Sequence, residues 1–312
     1  VIVATLNIPF SSQGLLLDPN IPEQISSIAS QTDSITDVVI CIYGWYENDE
    51  SGMVLYNKWS SNIVSKFSPN SKVLQLNIYW PSVVSQDNNS IVNLTQPFSW
   101  WHDCKAADQI GYYGLAPLLQ QIIDQQKINA DKLAIRYTYI AHSLGNRIAC
   151  SAMENLDTLI PSNLVMLQAA VNYNAFQTDQ EYSSLGSEIT YTTNSKFYKP
   201  IRIFNTKSGL DLALNKIYID AQCVVPNHPP AIPAIGSYGI DPEYFKAMSG
   251  QIITIDVGYS PPDLSLNQLI VADLTPLHTN DGVPGGPIAG KHNDINRPEI
   301  SSAILAFLLR DI

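Results

Sequence analysis

The sequence predicts an α/β protein built on a mostly parallel sheet, and three observations predict it. Unbroken apolar runs of strand length recur along the chain, as at residues 38–43 and 133–141. A parallel strand is covered on both faces, so such a run needs no polar alternation. These runs alternate with segments whose apolar residues recur at helical spacing, an order that implies parallel pairing through right-handed crossovers. No internal repeat or low-complexity linker interrupts the pattern, and 312 residues are enough for one large domain with a buried core. Residues 1–312 are therefore expected to form a single domain.

Taken in order, residues 1–37 are the least regular: 1–8 and 14–17 read as edge strands and 22–30 as a short helix. The core begins at Val38-Val39-Ile40-Cys41-Ile42-Tyr43, followed by the loop Gly44-Trp45-Tyr46-Glu47-Asn48 and an amphipathic helix over 53–67. Residues 72–80 form the next strand, ended by Pro81. A polar and aromatic stretch, 82–103, leads to a long helix over 105–127. Strand 133–141, the pentapeptide His142-Ser143-Leu144-Gly145-Asn146 and a helix over 147–156 come next. Further strands are expected at 163–171 and 201–205, the last at 251–257, and a helix over 299–309 closes the chain after Pro298. Segments 172–199 and 221–250 are too long for simple connections. The second contains Pro226, Pro229, Pro230 and Pro233, and both read as lid or cap segments over a site.

Composition narrows the function. Hydrophobic residues make up 45% of the chain, the net charge is −11 and mean hydropathy is close to zero, the profile of a folded globular protein. An acidic chain without a basic cluster repels nucleic acid and anionic membrane surfaces, so neither is expected as a partner. No apolar run approaches the roughly 18 residues of a membrane span, and a chain that starts at Val1 leaves the compartment open. Cys41 and Cys150 fall in a strand and a helix, as buried thiols do. Cys104 and Cys223 lie in loop-like sequence, and their pairing is left open. Without Cys-x-x-Cys or Cys/His ligand spacing, no metal site and no cofactor are expected.

The chemistry centres on Ser143. A buried strand that turns sharply into a helix, with a lone serine at the apex, fits a strained elbow that presents a nucleophilic hydroxyl. The residues two before and two after must be small, and Ala141 and Gly145 are. The competing reading is a plain junction in which Ser143 caps the helix. A serine nucleophile needs a base, normally a histidine oriented by a carboxylate, and the chain has five histidines: His102, His142, His228, His278 and His292. His142, next to the serine, points away from it and reads as structural.

The string Tyr139-Ile140-Ala141-His142-Ser143-Leu144-Gly145-Asn146-Arg147 resembles the elbow of the α/β-hydrolase superfamily, and in particular a bacterial branch of it. The resemblance implies an α/β-hydrolase fold: a mostly parallel central sheet with helices on both faces and a small lid or cap. It implies the order serine, acid, histidine, and by similarity to the family's late histidine loop it points to His292 in Gly290-Lys291-His292-Asn293-Asp294 as the base, with His278 as the alternative. It places the acid in the loop after the strand at 201–205, where Asp211 is the carboxylate; Asp179, Asp220 and Asp256 are the fallbacks. Asp211 also reads as an acid favoured at a helix N-terminus.

The same resemblance implies an oxyanion hole from the N–H of Leu144 and that of Trp45 or Tyr46. Related enzymes often carry His-Gly before the second donor, where this chain has Tyr43-Gly44. Aromatic residues (Trp45, Tyr46, Tyr79, Trp80, Trp100, Trp101, Tyr112 and Tyr113) crowd the expected mouth, some of them as ordinary core; if half line the pocket, the substrate is a small-molecule ester or lipid-like compound with an apolar or aromatic part. The expected activity is carboxylic ester hydrolysis through an acyl-enzyme. Acyl transfer, amide or lipid hydrolysis by the same triad, and a non-catalytic binding protein on the same fold, are the alternatives.

Overall fold

The computed structural model describes residues 2–31, 35–44, 50–67, 70–81, 92–127, 135–157, 162–191, 201–223, 231–265, 267–280, 282, 291–292 and 294–309. In chain order the elements are β1 (Ile2–Pro9), α1 (Ile21–Gln31), β2 (Asp37–Ile42), α2 (Glu50–Val64), β3 (Val73–Tyr79) and α3 (Val92–Gln109). A π-helical segment, Ile110–Leu115, joins α3 to α4 (Ala116–Lys127). Then follow β4 (Arg136–His142), α5 (Gly145–Glu154), β5 (Ser162–Leu167), α6 (Ser183–Tyr191) and β6 (Arg202–Lys207). A second π segment, Ala213–Ile217, leads into α7 (Tyr218–Cys223), α8 (Ile235–Tyr238) and α9 (Pro242–Ala247). β7 (Gln251–Thr254), β8 (Leu269–Asp273), α10 (Thr275–Asn280) and α11 (Pro298–Leu308) complete the chain.

The eight strands form one sheet in the order β1-β3-β2-β4-β5-β6-β8-β7, and every neighbouring pair is parallel. Every residue of β2 is buried, as its apolar run requires. Val38, Ile40 and Ile42 pack into one core with α1, α4 and α5, while Val39 and Cys41 pack into a second core with α2 and α11. The pleat thus sends alternate residues of one strand into two layers, with helices on both faces. The outer strands read differently. β1 alternates in burial and β7 leaves Gln251, Ile252 and Thr254 exposed, as half-covered edges do.

The strand order positions the site. From β2 the chain crosses one way to β3, and from β4 it crosses the other way to β5, although β2 and β4 are neighbours. The connections diverge beyond the carboxyl ends of β2 and β4, the position at which sheets of this class bind ligands. Gly44 and Ser143 follow those two ends, with Ile42 paired to Ala141.

Several expectations need correction. The strand at 251–257 is not the last: β8 follows and lies between β6 and the edge strand β7. The run 163–171 stops being strand at Leu167, because Gln168 turns to a positive φ of 41°. The long helix begins at Val92, inside the stretch read as irregular. The 14–17 segment contributes only an isolated antiparallel bridge, Phe10 to Leu16. Cys104 lies within α3, buried, while Cys223 is exposed, and both are free. Within the proposed cover segments, Ala175, Phe176, Leu185, Ile189 and Ile235 are buried in the first core; residues 192–200 and 224–230 lie outside the described residues. Among the described residues no helix is long and apolar enough to cross a membrane.

Candidate active site

β4 ends at His142 and α5 begins at Gly145, so Ser143 and Leu144 alone make the turn. Ser143 has a φ of 53°, a left-handed conformation that costs a non-glycine residue about 1–3 kcal/mol unless its surroundings hold it. They do. The Ser143 N–H donates to the Leu167 carbonyl at 3.0 Å, and the Ser143 carbonyl accepts from the Ala170 and Asn146 amides at 3.2 and 3.1 Å. The buried Asn146 side chain adds Nδ2 bonds to the carbonyls of Ala141 and Ser143, at 3.1 and 3.0 Å.

Two glycines make room. A Cβ at Gly145 would lie 2.6 and 2.7 Å from the Ile42 and Tyr43 carbonyl oxygens, and one at Gly44 would lie 2.5 Å from the Ser143 Cβ. Below the elbow Arg147 anchors α5. It bonds Asp108 through Nε and a terminal nitrogen at 3.1 and 2.7 Å, and Glu181 at 3.3 and 3.1 Å.

Ser143, His292 and Asp211 come together, all buried. His292 Nε2 lies 2.7 Å from Ser143 Oγ, and His292 Nδ1 lies 2.7 Å from Asp211 Oδ2. A carboxylate only accepts, so Nδ1 carries the hydrogen and Nε2 offers its lone pair to the serine hydroxyl. Asp211 sits in the turn after β6. Its Oδ1 accepts from the Leu214 N–H at 3.0 Å, and its own N–H is held by the Ser208 carbonyl at 3.2 Å.

Among the described residues, the other histidines make their bonds elsewhere than Ser143 Oγ. His142 donates from Nε2 to the His292 carbonyl at 3.0 Å, so it buttresses the backbone of the residue that faces the serine. Burial, and then the nearby His292 ring, pull its pKa down to about 3, which keeps this imidazole neutral. His278, in α10, bonds Ser208 Oγ through Nδ1 at 2.9 Å and supports the turn that carries Asp211. His102 lies 3.9 Å from Asp103, and His228 lies outside the described residues. The fallback acids stand elsewhere: Asp220 is an exposed residue of α7, Asp256 binds the Asn280 side chain, and Asp179 is a turn residue with a φ of 62°.

Leu144 is the buried residue that enters α5, so its N–H stands at that helix's N-terminus beside Ser143. Trp45 and Tyr46 lie outside the described residues. Of the other aromatic residues expected near the mouth, some are core, as the sequence allowed, and Trp101 is exposed. Trp80 and Trp100 are buried in the first core, and Trp80 Nε1 donates to the Tyr43 carbonyl at 3.1 Å. Tyr79 stacks edge-on against Tyr43. Tyr112 and Tyr113 line a separate groove of about 930 Å³ against α4 and the end of α5, which contains none of the three site residues.

Sequence reasoning missed Gln168. Its Nε2 donates to Asp211 Oδ2 at 3.1 Å and to the Lys291 carbonyl at 3.0 Å. Its only signal was an amide directly after the apolar run Leu164-Val165-Met166-Leu167. Comparison with models of known protein families and with curated proteins finds no match.

Proposed function

We propose that this chain is a serine hydrolase of the α/β-hydrolase type that cleaves carboxylic esters through an acyl-enzyme. The observation that carries the reading is the continuous relay from Asp211 Oδ2 through both nitrogens of His292 to Ser143 Oγ, with 2.7 Å at each step. In this reading Ser143 Oγ attacks the ester carbonyl as His292 Nε2 takes its proton. Asp211 holds the imidazole in the tautomer that accepts at Nε2 and stabilises the imidazolium. The proton passes to the leaving alkoxide, the alcohol departs, and a water deprotonated by the same nitrogen hydrolyses the acyl-serine.

The tetrahedral oxyanion needs two N–H donors. Leu144 supplies one at the α5 N-terminus and Trp45 or Tyr46 the second, each donor contributing about 10²–10³-fold in rate. The close packing of Gly44 on Ser143 favours a second donor from the loop after β2. The acidic chain favours a neutral, small-molecule ester or lipid-like substrate.

Labelling with a serine-directed fluorophosphonate tests the assignment. The wild-type protein is expected to label and to hydrolyse p-nitrophenyl esters, and Ser143→Ala to do neither. Equal labelling of the two proteins would remove Ser143 from the mechanism.

A further inference from the structure

We infer that Gln168 is a positioning residue for the Asp211–His292 pair: its one side-chain amide holds the carboxylate and the backbone that delivers the imidazole. The inference rests on the serine-hydrolase reading and extends it to a residue outside the triad.

Gln168 is fully buried and sits where β5 ends, in a left-handed backbone conformation with φ 41°. Its backbone N–H is held by Thr206 Oγ1 of the neighbouring strand at 2.8 Å, so the turn is tied to β6, the strand that leads to Asp211. From there Nε2 spends one hydrogen on Asp211 Oδ2 and the other on the carbonyl of Lys291, the residue before His292. Both partners are acceptors only, so the amide can face them only with its NH₂ end. The carbonyl end, Oε1, is buried and has no hydrogen-bond partner among the described residues. A buried amide oxygen left without a donor is unfavourable, and a residue selected only to fill space here would be apolar. The geometry is that of a group retained for its two donors.

Those donors act on the two parts of the pair that must stay in register. Asp211 Oδ2 receives both His292 Nδ1 and Gln168 Nε2, while Oδ1 receives the Leu214 N–H. The carboxylate is thus held through each oxygen and cannot pivot away as the imidazole gains its proton. The Lys291 contact meanwhile holds the carbonyl before His292, as the bond from His142 holds the carbonyl of His292 itself. Misplacing a catalytic group by about 1 Å can cost about 10²-fold in rate.

Two variants separate positioning from a plain structural role. Gln168→Met keeps the length and removes both donors. Gln168→Asn keeps an amide and suits the left-handed backbone, but is one methylene too short to span both acceptors. Each is expected to lower kcat for a p-nitrophenyl ester about 10- to 100-fold per titrated serine, with KM unchanged. The wild-type protein is expected to show a downfield proton resonance from the His292 Nδ1–H, held at 2.7 Å from Asp211 Oδ2, and in each variant it should broaden or disappear. A wild-type kcat in either folded variant would overturn the inference, because the backbone turn alone would then suffice. If Gln168→Met fails to fold, Gln168→Asn decides. A wild-type protein that neither labels nor hydrolyses esters would refute the hydrolase reading instead. The downfield proton would still judge Gln168 in that case: its loss in the variants supports the positioning role, and its retention overturns it.

Discussion

The two halves of the candidate site are held in opposite ways. Ser143 is braced by its immediate surroundings: Asn146 three residues on, and Leu167 and Ala170 at the end of the adjacent strand β5 and just beyond it. The Asp211–His292 half is assembled from segments far apart in the chain. Asp211 and His292 are 81 positions apart, and Gln168 reaches 43 positions to Asp211 and 123 to Lys291. A locally braced element stores its strain in the fold, whereas an arm held by a few long-range bonds depends on each of them for alignment. Damage to the elbow should therefore appear in stability and activity together, and damage to the arm chiefly in rate.

The largest effect expected from the arm is that of Asp211→Asn. An amide whose NH₂ faces Nδ1 would leave the histidine protonated on Nε2, the nitrogen that must accept the Ser143 proton. The expected loss in kcat is about 10⁴-fold, while the urea midpoint moves far less than that factor implies. Steady-state kinetics and urea titration on the same preparation check it. A loss in kcat below tenfold would mean that another carboxylate orients His292.

On the elbow, Gly145→Ala should act first on folding. The added methyl meets the Ile42 and Tyr43 carbonyl oxygens, backbone atoms of the buried strand β2 and its exit, so relief requires the sheet to move. A destabilisation of about 3 kcal/mol is expected, read as a lower urea midpoint with activity falling in parallel. Asn146→Ala removes two side-chain bonds to buried carbonyls and should cost about 1–3 kcal/mol. Either variant with wild-type stability but a lowered kcat would break the distinction between the two halves.

The same contrast explains what was legible in the sequence. The elbow is a contiguous pattern: an apolar strand, small residues at 141 and 145, and a helix. The demand for small neighbours is local, so it can be read without knowing the fold. Asp211 and His292 carry no such local mark. They stood out only through a resemblance and the expected order of residues, because their meeting depends on where β6 and the chain before α11 end. Gln168 was invisible for the same reason, since its partners lie in two distant loops. β8 escaped notice as five residues shortly after Pro261 and Pro262; its sheet position comes from pairing with β6 and β7. Which aromatic residues are core could not be read from the sequence, because a large ring is as readily core as pocket; Trp80 and Trp100 are core.

His142 joins the two halves, being the last residue of β4 and the donor to the His292 carbonyl, and its effect shows only as the pH falls. Its pKa in the folded protein is lowered to about 3, by burial first and the His292 ring second, against about 6.5 for an unfolded histidine. Within that window the unfolded chain binds a proton that the folded protein does not. Stability from this residue is therefore complete above the unfolded value and declines as the pH falls, by up to about 1.4 kcal/mol per pH unit. His142→Gln retains a donor for the His292 carbonyl but has nothing to titrate. Urea midpoints measured from about pH 7 down to about pH 4 should fall less steeply for the variant than for the wild-type protein. Parallel curves would mean that water reaches this imidazole and protonates it in place. The joint between elbow and arm would then be looser than the bond to the His292 carbonyl requires.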